Sequence, residues 1–322
     1  MRKQKWFASL AVASVVATTA CGSGGDEASG GDQAVKIDVG GLPLAALAPL
    51  YLGIDKGFFA DEGLEVTPQQ AQGGAALLPA VVSGDMEFAY SNTASLITAS
   101  VKGLPVQIVA NGNDETHDVK KASSTVVSKG GGPIRQPADL AGKTIAVNTL
   151  NNVGDITIKA ALEKSGVDVS GLKFVELPFP DMLPALEAGR VDAVWLVTPF
   201  TQTAKDAGHQ EVLRPFFDTQ PGLNIATYFT SQRYAKEHPD VVAGFVRAMN
   251  KSLTYTNDHP DELRAAVKTY AKIPDDVLGK MPLPEFPAEI DVPDIELTAE
   301  LMRKYGIIDK LPDFKRLVRQ GA

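Results

Sequence analysis

Cysteine is all but missing from this chain: Cys21 is the only one in 322 residues. A single thiol excludes any disulfide within the chain and removes cysteine-rich catalytic or redox motifs from consideration. Histidine is scarce too. His117, His209, His238 and His259 are scattered, and the last two each precede proline, so they read as surface residues and not as a metal cluster. There is no Gly-x-Ser-x-Gly elbow and no Walker loop. Positive charge is in deficit, with 31 Lys+Arg against 39 Asp+Glu. Setting aside Arg2, Lys3 and Lys5 takes the net charge from −8 to −11. That balance argues against nucleic acid or an anionic membrane surface as partner. It leaves a small anion open, since a pocket can bind one through local dipoles. The remaining chain is long enough for two lobes with cores of their own.

What is present begins with a leader. Arg2, Lys3 and Lys5 precede an apolar run at 6–17, and Thr18, Thr19 and Ala20 lead to Cys21. The run is too short for a spanning helix of about 20 residues, so residues 1–20 read as a secretory signal. With cysteine at the cleavage point, the segment resembles a bacterial lipoprotein signal, although Thr18 and Thr19 replace the usual leucine-containing box. That resemblance implies a diacylglycerol on Cys21 and a protein lipid-anchored on the extracytoplasmic face of the cell membrane. An ordinary signal with an incidental cysteine is the alternative. Residues 22–33 are mostly Gly, Ser, Asp and Glu with nothing to bury, so 21–34 reads as a lipidated flexible tether.

From Val35 onward short apolar runs alternate with helical periods. Strands are predicted at 35–39, 64–66, 88–90, 106–110, 144–147, 173–177, 193–197 and 225–230. Helices are predicted at 47–59, 74–83, 93–102, 155–164, 181–188, 261–272 and 298–305. Val242, Phe245, Val246, Met249 and Leu253 mark a further amphipathic helix entered at Asp240. The five prolines between Pro274 and Pro293 predict an irregular segment wrapped on the surface. This pattern means an α/β class fold with mostly parallel sheets. Two sections look alike: 82–92 and 187–195 each carry a helix ended by glycine and then an apolar strand. They read as equivalent corners of two similar lobes.

Four stretches carry a family resemblance: IDKGFFADEGLEV at 54–66 following GLPLAALAPLYLG at 41–53, KGLPV at 102–106, DLAGKTIAV at 139–147 and DAVWLVTPF at 192–200. In this order they resemble the sulfonate/nitrate/taurine and thiamine-precursor group of ABC-importer substrate-binding proteins, from about Val35 to about Pro312. The resemblance implies a type II periplasmic-binding-protein fold, two lobes with a hinge and an interlobe ligand cleft. Lobe one would hold residues 35–115 and 226–322, lobe two residues 116–225. It implies a monomer that delivers a small-molecule ligand to an ABC permease with its ATPase, with no cofactor.

Ligands of open parallel sheets bind beyond the carboxyl ends of strands, where helix N-termini gather. Three corners fit. Ser91, Asn92 and Thr93 offer hydroxyls and an amide to an oxyanion, or serve as plain N-caps. Asn148, Thr149, Asn151 and Asn152 form a polar loop entering a helix, with Gly154 for close backbone approach. Thr198 and Phe200 flank Pro199; many relatives carry an acid where Thr198 stands, and its absence favours an anionic or neutral ligand. Gly41, Leu42 and Pro43 follow the first strand and face the cleft in relatives. Trp195 and Phe200 read equally as core or as ligand-stacking residues. Asn92→Ala and Asn151→Ala are expected to weaken binding with little effect on folding.

A fungal pyrimidine synthase shares the implied fold but uses a cysteine-rich motif and pyridoxal phosphate; with Cys21 in the leader, this chain reads as a non-enzyme. The expected function is capture of a small anion, such as a sulfonate, nitrate, a taurine-like solute or an aromatic carboxylate. A neutral heterocycle such as a thiamine pyrimidine precursor, or a sensor role without transport, is the alternative.

Overall fold

The structure, a computed structural model, describes residues 34–71 and 73–320. The expected leader, Cys21 and nearly all of the expected tether lie outside the described residues. Among the described residues ten strands form two five-stranded sheets. The first contains β1 (Val35–Gly41), β2 (Leu64–Gln70), β3 (Phe88–Asn92), β4 (Val106–Asp114) and β10 (Asn224–Ser231), in the order β2-β1-β3-β10-β4. The second contains β5 (Ser124–Ser128), β6 (Thr144–Val147), β7 (Lys173–Glu176), β8 (Ala193–Val197) and β9 (Gln210–Leu213), in the order β7-β6-β8-β5-β9.

The two orders are equivalent position by position, and β3 and β8, the strands of the two look-alike sections, both take the central place. In each sheet one strand runs against the rest: β10 is antiparallel to β3 and β4, and β5 to β8 and β9. These are the strands entered immediately after the chain changes sheet, through residues 115–123 and 220–223. Two passages side by side make a hinge between two α/β lobes, the type II binding-protein architecture.

The core of the first lobe is aromatic. Phe245, on the long helix Pro239–Asp258, stacks on Phe88 with centroids 4.0 Å apart and also meets Phe59 and Tyr228. Its neighbours Val242, Val246, Met249 and Leu253 are buried, as their helical spacing predicts.

Several elements differ from expectation. The predicted helix at 47–59 begins as a 3-10 turn at Ala45–Leu47 and ends at Asp55, where Gly57 adopts φ +75° and reverses the chain. The helix predicted at 74–83 likewise divides into a 3-10 turn, Gly74–Leu77, and a helix, Leu78–Ser83, because Pro79 suits a helix start and not its interior. β4 continues through Asn111, Gly112, Asn113 and Asp114, all buried, so the hinge begins with polar groups inside the protein. The proline-rich segment is not a surface wrapping. It carries a helix, Asp275–Lys280, and buries Leu278, Met281 and Phe286. Its Glu285 bridges to Asp114, and Lys280 reaches Asp206 of the second lobe at 3.9 Å. It is a strap across the hinge region. The last predicted helix starts earlier, at Val292, with Pro293 in its first turn. The His209 side chain is buried and not on the surface, with Nε2 3.0 Å from Glu187. Among the described residues no helix is long and apolar enough to cross a membrane.

Candidate functional site

The C-terminal ends of the strands in both sheets face a cavity of about 70 Å³ that opens into about 600 Å³ of cleft. The first lobe contributes Leu42, Leu44, Ala45 and Ala46 after β1, Tyr90 and Asn92 of β3, and Asn113 of β4. The second contributes Asn148 after β6, Val153, Phe179, Trp195, Thr198 and Phe216. Ser123 comes from the first passage, Ile225 from the start of β10, and Pro284 from the strap. A larger space of about 1010 Å³ lies on the other side of the strap, lined by Lys120, Lys205 and other polar groups. It is wide and holds none of the predicted corners, so the smaller cavity is the candidate site.

Of the predicted residues, the cavity brings together Leu42, Asn92, Asn148, Trp195 and Thr198. Asn92 also caps the helix Thr93–Val101: its side-chain oxygen accepts from the Ser95 backbone N–H at 2.9 Å. Both readings of that corner hold for Asn92. Thr93 does not line the cavity; its hydroxyl donates to Asn224 Oδ1 at 2.9 Å, tying the helix start to β10. Ser91 is buried under Gly74, where a Cβ would come 2.3 Å from its hydroxyl oxygen. Gly74 is thus required by close packing at the cavity wall.

The loop after β6 divides similarly. Asn148 lines the cavity and Thr149 is half-buried beside Gly73. Asn151 is exposed in a left-handed conformation, φ 53°, and points no donor into the site from its backbone, which is bound to Asp155. Asn152 caps the helix Val153–Lys164 and is buried, its side-chain N–H donating to Ser95 Oγ of the other lobe at 2.7 Å. Gly154 serves a close approach, but to the Trp195 indole and not to a ligand: a Cβ there would lie 2.8 Å from the ring. Thr198 Oγ1 donates to the Ser123 carbonyl at 3.1 Å, and Phe200 stacks behind Phe179 at 5.5 Å. Pro199, which follows a cis bond, precedes its helix instead of starting it. Gly41 and Pro43 stand beside the wall without lining it.

Sequence reading missed Asn113, Ser123, Phe179, Phe216 and Pro284. Tyr90 OH donates to Asn113 Oδ1 at 2.5 Å, and burial, with Asp114 nearby, pushes the Tyr90 phenol well up. The polar run 111–115 directly after an apolar strand was the available signal for Asn113.

The chemistry of the wall is specific. No lining side chain carries a charge. Asn92 and Asn113 both spend their oxygens on the protein, so each has its amide N–H₂ to offer. The Trp195 indole N–H is buried and has no partner. Buried donors are nearly always paired, and of the buried polar atoms left without a protein partner the Trp195 N–H belongs to a residue of this wall. Aromatic faces of Phe179, Trp195 and Phe216 pack at 5.6–5.7 Å around it.

Comparison with known proteins settles the family. The chain belongs to the NMT1/THI5-like family, whose model matches residues 45–263. It is 27% identical over 233 residues, 71% of this chain and 68% of the other, to the formylaminopyrimidine-binding protein of Halalkalibacterium halodurans. It is 26% identical over 319 residues, 95% of this chain and 92% of the other, to a putative aliphatic sulfonates-binding protein of Bacillus subtilis. In fold it is similar to the ligand-binding component of an ABC-type import system from Staphylococcus aureus, with a TM-score of 0.76 at 16% identity, covering 88% of this chain and 96% of that one.

Proposed function

We propose that this protein is the extracytoplasmic solute receptor of an ABC importer, a binding protein and not an enzyme. Lobes at 35–115 with 226–322, and at 116–225, close on a small solute, and Cys21 anchors a monomer to the membrane by lipid. The observation that carries this reading is the buried, unpartnered Trp195 N–H in a charge-free cavity between two hinged lobes. A group that donates and finds no acceptor inside the protein is kept for a bound guest.

A small anion is the first ligand reading. Three N–H donors, at about 1.5–3 kcal/mol each toward a charged acceptor, approach the roughly 8 kcal/mol of a micromolar complex. The helices beginning at Thr93 and Val153 add favourable dipole ends. The sulfonate-binding relative supports this chemistry. A neutral heterocycle is the second reading, and a specific observation favours it. The Asn151 and Asn152 N–H groups are already taken by the Asp155 carboxylate, at 2.9 and 2.7 Å, so one helix start has spent its donors on an acid. Flat aromatic walls and ring acceptors suit each other. Calorimetric titration with taurine, an alkanesulfonate, nitrate, benzoate and an aminopyrimidine separates the readings. Binding confined to the pyrimidine overturns the anion; no binding by any solute, with the cavity intact, counts against the receptor itself.

A further inference from the structure

The hinge contains two buried carboxyl groups in direct sequence, and neither takes part in the cavity wall. Glu115 is fully buried and Asp114 nearly so. Glu115 holds the first passage in a closed turn. Its oxygens accept from Thr116 N at 2.8 Å, Ser123 N at 3.0 Å and Ser123 Oγ at 3.0 Å. Its own backbone N–H donates to Leu223 O at 2.8 Å and so ties the first passage to the second. Asp114 Oδ1 accepts from Asn224 Nδ2 at 2.8 Å and Asn111 Nδ2 at 3.2 Å, while its backbone bridges to Glu285 in the strap. The same groups touch the site: Ser123 lines the cavity, and its carbonyl holds Thr198 of the second lobe.

The surroundings are mostly acidic. Glu285 faces Glu115 from the strap and is itself 3.2 Å from His117 Nδ1. Asp294 and Asp291 face Asp114 from the start of the last long helix, and the Tyr90 phenol faces it from β3. Among the described residues no lysine or arginine is ion-paired with either carboxyl group. Burial and the neighbouring acids favour the protonated form, the hydrogen bonds from Asn224, Asn111, Ser123 and Thr116 favour the charged one, and burial is the larger effect. Burial pushes both groups up to about 7.

We propose that Asp114 and Glu115 form a proton-sensitive hinge: protonated, they favour the closed arrangement of the lobes, and ionised, they favour an open one in which water reaches them. Protonation keeps the local geometry, because a Glu115 O–H donates to Ser123 Oγ while the other oxygen still accepts the two N–H groups. Ionised, Glu115 keeps its three donors but stands buried beside Glu285 without a cation, a cost that hydration in an open arrangement would relieve. The device acts on the lobes whichever solute binds. In cleft-closing proteins a two-state element of this kind is biased by whatever favours one state.

Small-angle scattering on the ligand-free protein, from about pH 5.5 to about pH 8.5, tests this. The wild type should expand as pH rises, with a midpoint near 7. E115Q, neutral and the same shape, should lose at least half of the change, and the D114N/E115Q double variant all of it. Near-ultraviolet circular dichroism checks folding; if the double variant does not fold, E115Q alone decides. A wild-type radius of gyration that is constant over this range, or an E115Q response equal to the wild type's, overturns the proposal.

Discussion

The side-chain amide of Asn152 donates to the hydroxyl of Ser95 across 2.7 Å, and both groups are buried. One residue caps the helix that opens the second lobe's corner; the other lies in the first turn of the helix that opens the first lobe's. This single bond joins two helix starts across the cleft. Further out, Glu163 meets Lys304 and Tyr305 OH, the latter at 2.7 Å, on the same side of the molecule. These polar contacts tie the two lobes together in this arrangement, and a hinge opening would have to break them.

Ser95→Ala should favour the open state. It leaves the Asn152 N–H₂ buried without that partner, at a cost of about 1–3 kcal/mol. Ligand affinity should fall about tenfold for each 1.4 kcal/mol lost on closure. Calorimetry gives the affinity, and scattering should show a more expanded ligand-free protein.

Asn92 and Asn148 separate capping from recognition. Asn92→Ala removes a helix cap as well as a donor, so the melting temperature should drop along with affinity; cap loss is about 1 kcal/mol. Asn148→Ala should weaken binding and leave melting near the wild-type value. Asn151→Ala, once expected to weaken binding, should be silent in titration because that side chain is exposed. A matched thermal-melt and titration series on the three variants checks this.

Much of this architecture is readable in the residues themselves. β1 alternates apolar and polar residues, β3 and β8 are apolar runs ending in polar corners, and the helix stripe through Phe245 is unambiguous. β5 and β9 were missed because each is short and begins with polar residues, Ser124 and Gln210. Their strand character comes from pairing across the sheet, with β5 fixed between β8 and β9. The site was half legible for the same reason. Corners at strand ends carry local signals, and Asn92 and Asn148 announce themselves. Phe179, Phe216 and Pro284 reach the cavity only through tertiary packing, and nothing in their immediate sequence separates them from core residues.

Stability should depend on pH in a direction set by the buried acids. Asp114 and Glu115 titrate near 7 when folded, against ordinary values of 3.8 and 4.5. Groups with raised folded values bind protons more tightly in the native state, so their contribution is complete below those ordinary values and is lost as pH rises through about 7. The melting temperature should decline from about pH 5 to about pH 8. D114N should flatten that decline, as thermal melts across the range will show. Acids held down by partners, such as Glu62 with Arg247, act in a separate, lower window.

Phe245→Ala should destabilise the first lobe by about 3–5 kcal/mol through lost aromatic packing and a cavity. Denaturant unfolding measures it.

The protein has two tryptophans, Trp6 near the start of the chain and Trp195 in the cavity wall. In a Trp6→Phe protein all indole emission reports on the candidate site. Titration with a solute that binds by calorimetry should give a saturable change in Trp195 emission at the same midpoint, and Trp195→Phe should weaken that binding without unfolding the protein. Heat of binding with no change in Trp195 emission, and full affinity in Trp195→Phe, would place the ligand elsewhere and contradict the account.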